Sequence, residues 1–104
     1  MNKPETALRN NIALEVRIKY GTSLYMKKIH GSPYQEAGIP DLIGCLKGKF
    51  IGMEIKQSGC KATPIQEANI RDIRRAGGYA QTITSIKEAL EFMEFVASQV
   101  IENK

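Results

Sequence analysis

Near the start of the chain, Leu8, Ile12, Val16 and Tyr20 recur at helical spacing and predict a helix over residues 4 to 20. Pro4 suits a first turn, where a missing N–H is no loss, and Gly21 suits the helix end. The pattern then switches to a period of two. From Leu24 to His30, Leu24, Met26, Lys28 and His30 share one face, and Tyr25, Lys27 and Ile29 share the other, as in a strand. Residues 31 to 38 are a polar loop containing Ser32-Pro33. After it, DLIGCLKGKFIGME reads as two β-rich runs around a Lys47-Gly48-Lys49 turn. Asp41 begins the first run, and the second covers Phe50 to Gln57.

The second half returns to longer periods. Thr63, Pro64 and Gln66 fit N-cap, N1 and N3 of a helix opened by a capping box, and Gly77-Gly78 stops it. Tyr79 to Thr84 reads as a fourth strand. Ser85 and Glu88 form a second capping box for a helix from Ile86 to about Glu102. Its main stripe is Ile86, Leu90, Met93, Ala97, Val100 and Ile101, widened by Phe92, Phe95 and Val96 beyond what one sheet needs. The surplus suits a second subunit. The order αβββαβα predicts an α/β fold, with a mixed sheet flanked by helices.

A chain of 104 residues, 42% hydrophobic and 25% charged, is expected to form one domain, residues 1–104, with a single core. No apolar run approaches about 18 residues, so no membrane span is expected. MNKPETALRNN lacks the apolar segment of a secretory signal. Cys45 and Cys60 are not spaced as a redox or zinc pair, which suits free thiols in a reducing cytoplasm. The net charge of +4 is compatible with a polyanionic partner without requiring one.

Candidate chemistry concentrates at Asp41 and Glu54-Ile55-Lys56. In the hairpin, Asp41 lies beside Glu54, and Glu54 and Lys56 share one face. Two carboxylates and an ammonium at one spot suit a hard divalent cation beside a phosphodiester, with the Ile55 carbonyl as a further oxygen ligand. Gly38 permits a conformation or close approach that other residues resist, and Pro40 belongs at a strand start. Glu5 falls in the angular sector of the first helix's apolar stripe. Glu15 lies about 80° away and is the less favoured acid. Gln66 has a complete structural role as a cap. Lys28 or the sole histidine, His30, could contact backbone phosphates, as could Lys61 in the polar loop and Arg71, Arg74 and Arg75 on the following helix.

Pro40-Asp41 with Glu54-x-Lys56 resembles the signature of the PD-(D/E)xK nuclease superfamily. The longer context KIHGSPYQEAGIPDLIG, MEIKQSG and TPIQEANIRDIRRAGG is similar to small stand-alone VRR-NUC nucleases, many of them phage-encoded. The resemblance runs from about Glu5 to about Leu90. It implies a restriction-endonuclease-like αβββαβ core plus a C-terminal helix, a first-helix acid (Glu5) at the metal, and Gln66 near the catalytic centre. It also implies Mg2+ or Mn2+ as cofactor with no organic cofactor, and DNA, branched or duplex, as partner. The expected protein is an intracellular, homodimeric endodeoxyribonuclease that cuts four-way junctions. The alternatives are a flap or linear-duplex nuclease, or an inactive nucleic-acid-binding module.

Overall fold

The computed structural model describes residues 4–29 and 36–100. Its elements are α1 (Pro4–Tyr20), β1 (Leu24–Lys28), β2 (Leu42–Leu46), β3 (Lys49–Ile55), α2 (Pro64–Arg75), β4 (Tyr79–Ile83) and α3 (Ile86–Ser98). The four strands form one mixed sheet in the order β1-β2-β3-β4, with antiparallel β1/β2 and β2/β3 pairs and a parallel β3/β4 pair. The parallel pair is joined by α2, as a crossover requires. This is the α/β architecture with a helix-flanked mixed sheet that the sequence predicts.

One face of the sheet carries the core. Ile51, Met53 and Ile55 of β3 pack with Leu42 and Leu46 of β2, Met26 of β1 and Ile83 of β4. Over them lie Ile12, Ala13 and Val16 of α1 and Ala89, Phe92, Met93 and Val96 of α3. The α1 stripe sits as its spacing predicts. In α3 the buried stripe is centred on Ala89, Phe92, Met93 and Val96, while Ile86, Leu90 and Ala97 are half-buried at its flank. Phe95 is exposed, its ring T-shaped to that of Tyr79. Helix α3 ends at Ser98, short of the predicted end: Gln99 is extended and Val100 is exposed. Ile101 and Glu102 lie outside the described residues.

The hairpin between β2 and β3 turns on Lys47 and Gly48 alone, at φ 51° and 84°. Two successive left-handed residues give the tight turn whose twist matches the flanking strands. Lys49, predicted in the turn, opens β3 and is buried. Its Nζ donates to the carbonyls of Gln99 (2.6 Å) and Ala97 (3.5 Å), so it fastens the end of α3 to the sheet. Gly21 lies past α1 at φ 52°, within a 3-10 turn that leads into β1.

The opposite face is covered only in part. Helix α2 packs on β4 and β3, and Pro40 and Ile73 lie over Gly52, whose hydrogen leaves room for both. At the start of α2 the predicted capping box is complete: Thr63 Oγ1 accepts from Gln66 N, and Gln66 Oε1 accepts from Thr63 N. The second predicted box is half made. Ser85 caps Glu88 N, but Glu88 Oε1 bypasses the Ser85 N–H and takes the Thr84 N–H and hydroxyl. Two donors at Thr84 outcompete one at Ser85.

Candidate metal centre

The β2/β3 register places Leu42 opposite Met53. Continued one residue, it sets Asp41 against Glu54, and continued two, it sets Pro40 against Ile55. Asp41 itself is a bend just before β2 rather than its first residue. Backbone groups alternate sides along a strand. Lys56 N donates to Ile83 O on β4 at 2.9 Å. The polar groups of Ile55 therefore point the other way, toward Pro40 and Asp41. Pro40 has no N–H to offer the Ile55 carbonyl. The Ile55 N–H is taken instead by Asp41 Oδ2 at 2.8 Å. The Asp41 carbonyl accepts from Ile29 N at 2.8 Å, which fastens the bend to β1. The bend thus ends the ladder, aims a carboxylate at β3 and leaves a backbone carbonyl without its strand partner.

Glu54 is buried, at 2% exposure, and its Oε1 has no hydrogen-bond partner among the described residues. Facing Asp41 as a non-hydrogen-bonded pair, it stands where side chains across strands approach most closely. Burial, above all, pushes its pKa from 4.5 up to about 8. Asp41 adds to this as a hydrogen-bond partner for the protonated acid and as a like charge, and Glu5 adds a smaller repulsion. Lys56, half-buried two residues on, pulls the other way. It forms no direct ion pair with either carboxylate; the pairs seen among the described residues are Lys19–Glu94 and Arg75–Asp72.

Glu5, half-buried in the first turn of α1, has its Oε2 3.4 Å from Gln57 N, just past β3. Glu15 is exposed. Among the described residues no three His, Cys, Asp or Glu side chains gather tightly enough to enclose a cation by themselves. The donor set here is a carboxylate pair, a neighbouring backbone carbonyl and a more distant third acid. Such a set fits Mg2+ or Mn2+, because Mg2+ is held through one or two carboxylates plus waters and substrate phosphates. The partnerless Glu54 oxygen is the specific sign of fit, since a buried lone acceptor is costly unless something binds it.

The remaining predicted site residues come from other segments of the chain. Gln66 is half-buried at the start of α2, with its oxygen committed to the cap; no hydrogen bond joins it to Asp41, Glu54 or Lys56 among the described residues. Lys28 ends β1, and its Nζ lies 3.3 Å from Asn10 Oδ1. β1 stops there, two residues before the predicted end, and His30 lies outside the described residues. Lys61 is exposed in the loop after β3. β3 closes at Ile55, so Lys56 and Gln57 follow it rather than belong to it. Arg71 is exposed; with Arg74, Gln81 and Thr82 it lines an open depression of about 380 Å³ between α2 and β4. Arg74 is anchored there through Nε on Ala80 O at 2.9 Å. Sequence reasoning did not find the Asp41–Ile55 hydrogen bond. Its signal was proline two positions before a strand whose partner runs on.

No family model and no curated protein matches the chain. Solved structures that share its fold include two VRR_NUC domains. One, described as a VRR_NUC domain, gives a TM-score of 0.64 at 20% identity, covering 82% of this chain and 92% of its own. The other, described as a VRR_NUC domain protein, gives 0.62 at 18% identity, covering 82% and 84%. The chain therefore has the fold of these VRR_NUC domains, as its motifs led one to expect. No helix among the described residues is long and apolar enough to cross a membrane.

Proposed function

We propose that the protein is a metal-dependent DNA endonuclease that hydrolyses phosphodiester bonds, with Asp41, Glu54 and the Ile55 carbonyl as cation ligands and Glu5 as an outer acid. The observation that carries this is the buried, partnerless Glu54 Oε1 facing Asp41 on a VRR_NUC-like fold. Two acids forced together without a bound cation hold on to a proton. A bound Mg2+ or Mn2+ would polarise the phosphodiester and make water a better nucleophile. Asp41 is held in place by the Ile55 N–H, so its orientation is fixed before any ligand arrives. Lys56 keeps its ammonium within electrostatic reach of the pair. There it orients the attacking water or offsets charge on the phosphate oxygens. A pure binding module has no use for this pair, because buried carboxylates repel phosphate. The resemblance to small stand-alone VRR-NUC nucleases extends the proposal to branched DNA and to a homodimer whose two-fold axis relates two centres. Exposed Leu14 and Ile18 on α1 supply apolar surface for such pairing. Four-way junction, flap and linear DNA incubated with Mg2+, Mn2+ or EDTA test it. Cutting that requires the cation and favours the junction is the expected result, and absence of cutting with either ion sinks it.

A further inference from the structure

The half of the sheet that α2 leaves bare is organised in rows. Tyr25 pairs with Cys45, and Cys45 with Phe50, so two aromatic rings flank one small side chain on the same face. The next row is Lys27, Ile43 and Gly52. Continuing the register, the third row is Ile29, Asp41 and Glu54. The aromatic row and the acid row thus lie on the same face of the sheet, about 13 Å apart along β3. Tyr25 and Phe50 are 65% and 45% exposed, unusual values for aromatics on a sheet. Together with Ile29, Ile43 and Cys45 they line an open groove of about 470 Å³. Among the described residues its one charged wall is Lys27, whose ammonium stands 5.4 Å from the centre of the Tyr25 ring.

We propose that this groove is a stacking platform for an unpaired strand of the nucleic-acid substrate, seating bases against Tyr25 and Phe50 beside the cleavage centre. The proposal rests on the nuclease reading and adds that bases of its branched substrate unpair at the branch point near the cut. Bases present their faces only when unpaired or at a helix end, and exposed aromatic rings on a sheet reward that contact. Lys27 supplies the positive charge that a phosphate backbone follows, and among the described residues no acid lines the groove to oppose it. Asp41 stands two rows further along the same face, past the Pro40 and Ile73 side chains over Gly52, so a strand running along β1 and β2 heads toward the proposed cation ligands.

The test is fluorescence anisotropy in EDTA, with labelled oligo(dT) of about 15 nucleotides and a blunt duplex of the same length. The wild-type protein is expected to prefer oligo(dT). Tyr25→Leu and Phe50→Leu keep apolar bulk but remove the ring, and each is expected to weaken oligo(dT) binding about 5- to 100-fold while leaving duplex affinity and melting temperature unchanged. Tyr25 is so exposed that its substitution leaves the core intact. Unchanged oligo(dT) affinity in both variants overturns the proposal. So does a wild-type dimer in sedimentation that both variants convert to monomer, since the face would then be a protein interface. No cleavage is read, so failure here is separate from failure of the nuclease assignment.

Discussion

The Ile55 N–H donates to the carboxylate of Asp41 at 2.8 Å, a side chain standing where a strand partner's backbone would otherwise be. Proline opposite Ile55 explains both halves of this arrangement. Pro40 cannot donate to the Ile55 carbonyl, and the bend after it swings Asp41 into the vacated place. The same dipeptide thus places one proposed ligand directly and frees another.

Restoring the N–H tests that relationship without touching any ligand. In Pro40→Ala the new amide can pair with the Ile55 carbonyl and compete with a cation for it. A competing hydrogen bond of about 1 kcal/mol should weaken Mn2+ binding roughly fivefold in titration calorimetry. Unaltered affinity would remove the Ile55 carbonyl from the ligand set.

Asp41→Asn and Lys56→Ala should each lower cation-dependent cleavage by at least about 100-fold. Both should retain the circular dichroism spectrum, since an asparagine oxygen can still accept from Ile55 N. Residual cutting near wild-type level in purified Asp41→Asn would show that the centre lies elsewhere.

Gly38 stands at φ 85°, and a Cβ there would come within 2.8 Å of the Ile65 carbonyl and 2.7 Å of Asn69 Nδ2. Both objections are met by glycine alone. Gly38→Ala should destabilise the fold by about 1–3 kcal/mol in urea melts. It should also impair cleavage, because the strained segment leads into Pro40 and Asp41.

The elements and their order were legible because each carries its own period: 3.6 in α1, two in the strands, and explicit caps at Thr63 and Ser85. The pairing of Asp41 with Glu54 was legible because Lys47-Gly48 fixes the hairpin register over a short distance. What could not be seen depends on contacts between distant segments. Nothing near Lys49 announces that it will hold the last carbonyls of α3, or near Glu5 that it will meet Gln57 N. The rotation of α3 was misjudged for the same reason. Its apolar arc is wide, and only packing against α1 and the sheet decides that Phe92 goes in and Phe95 stays out.

Lys49→Met keeps the stem of this buried side chain and deletes its donor. The Ala97 and Gln99 carbonyls then lose their cap, and stability should fall by about 1–3 kcal/mol. Hydrogen exchange should show the loss concentrated in the last turn of α3. Equal protection there in variant and wild type would contradict the tether.

The strongest pH signature belongs to Glu54. Its pKa is about 8 in the folded protein against 4.5 for an unperturbed glutamate, so between those values the folded state holds a proton that the unfolded state has released. Stability then falls as pH rises. The stabilising contribution is complete below about pH 4.5 and is gone once pH has passed about 8. Glu54→Gln keeps the shape and cannot ionise, so without divalent ions it should be more stable than wild type at pH 8 by on the order of 2 kcal/mol, and its melting temperature should vary less with pH. In the proposed centre a cation would bind the ionised pair and compete with that proton. Mn2+ should therefore raise the wild-type melting temperature more at pH 8 than at pH 6 and leave Glu54→Gln nearly unmoved. If the variant gains as much from Mn2+ as the wild type does, Glu54 is not a ligand and its burial has another cause.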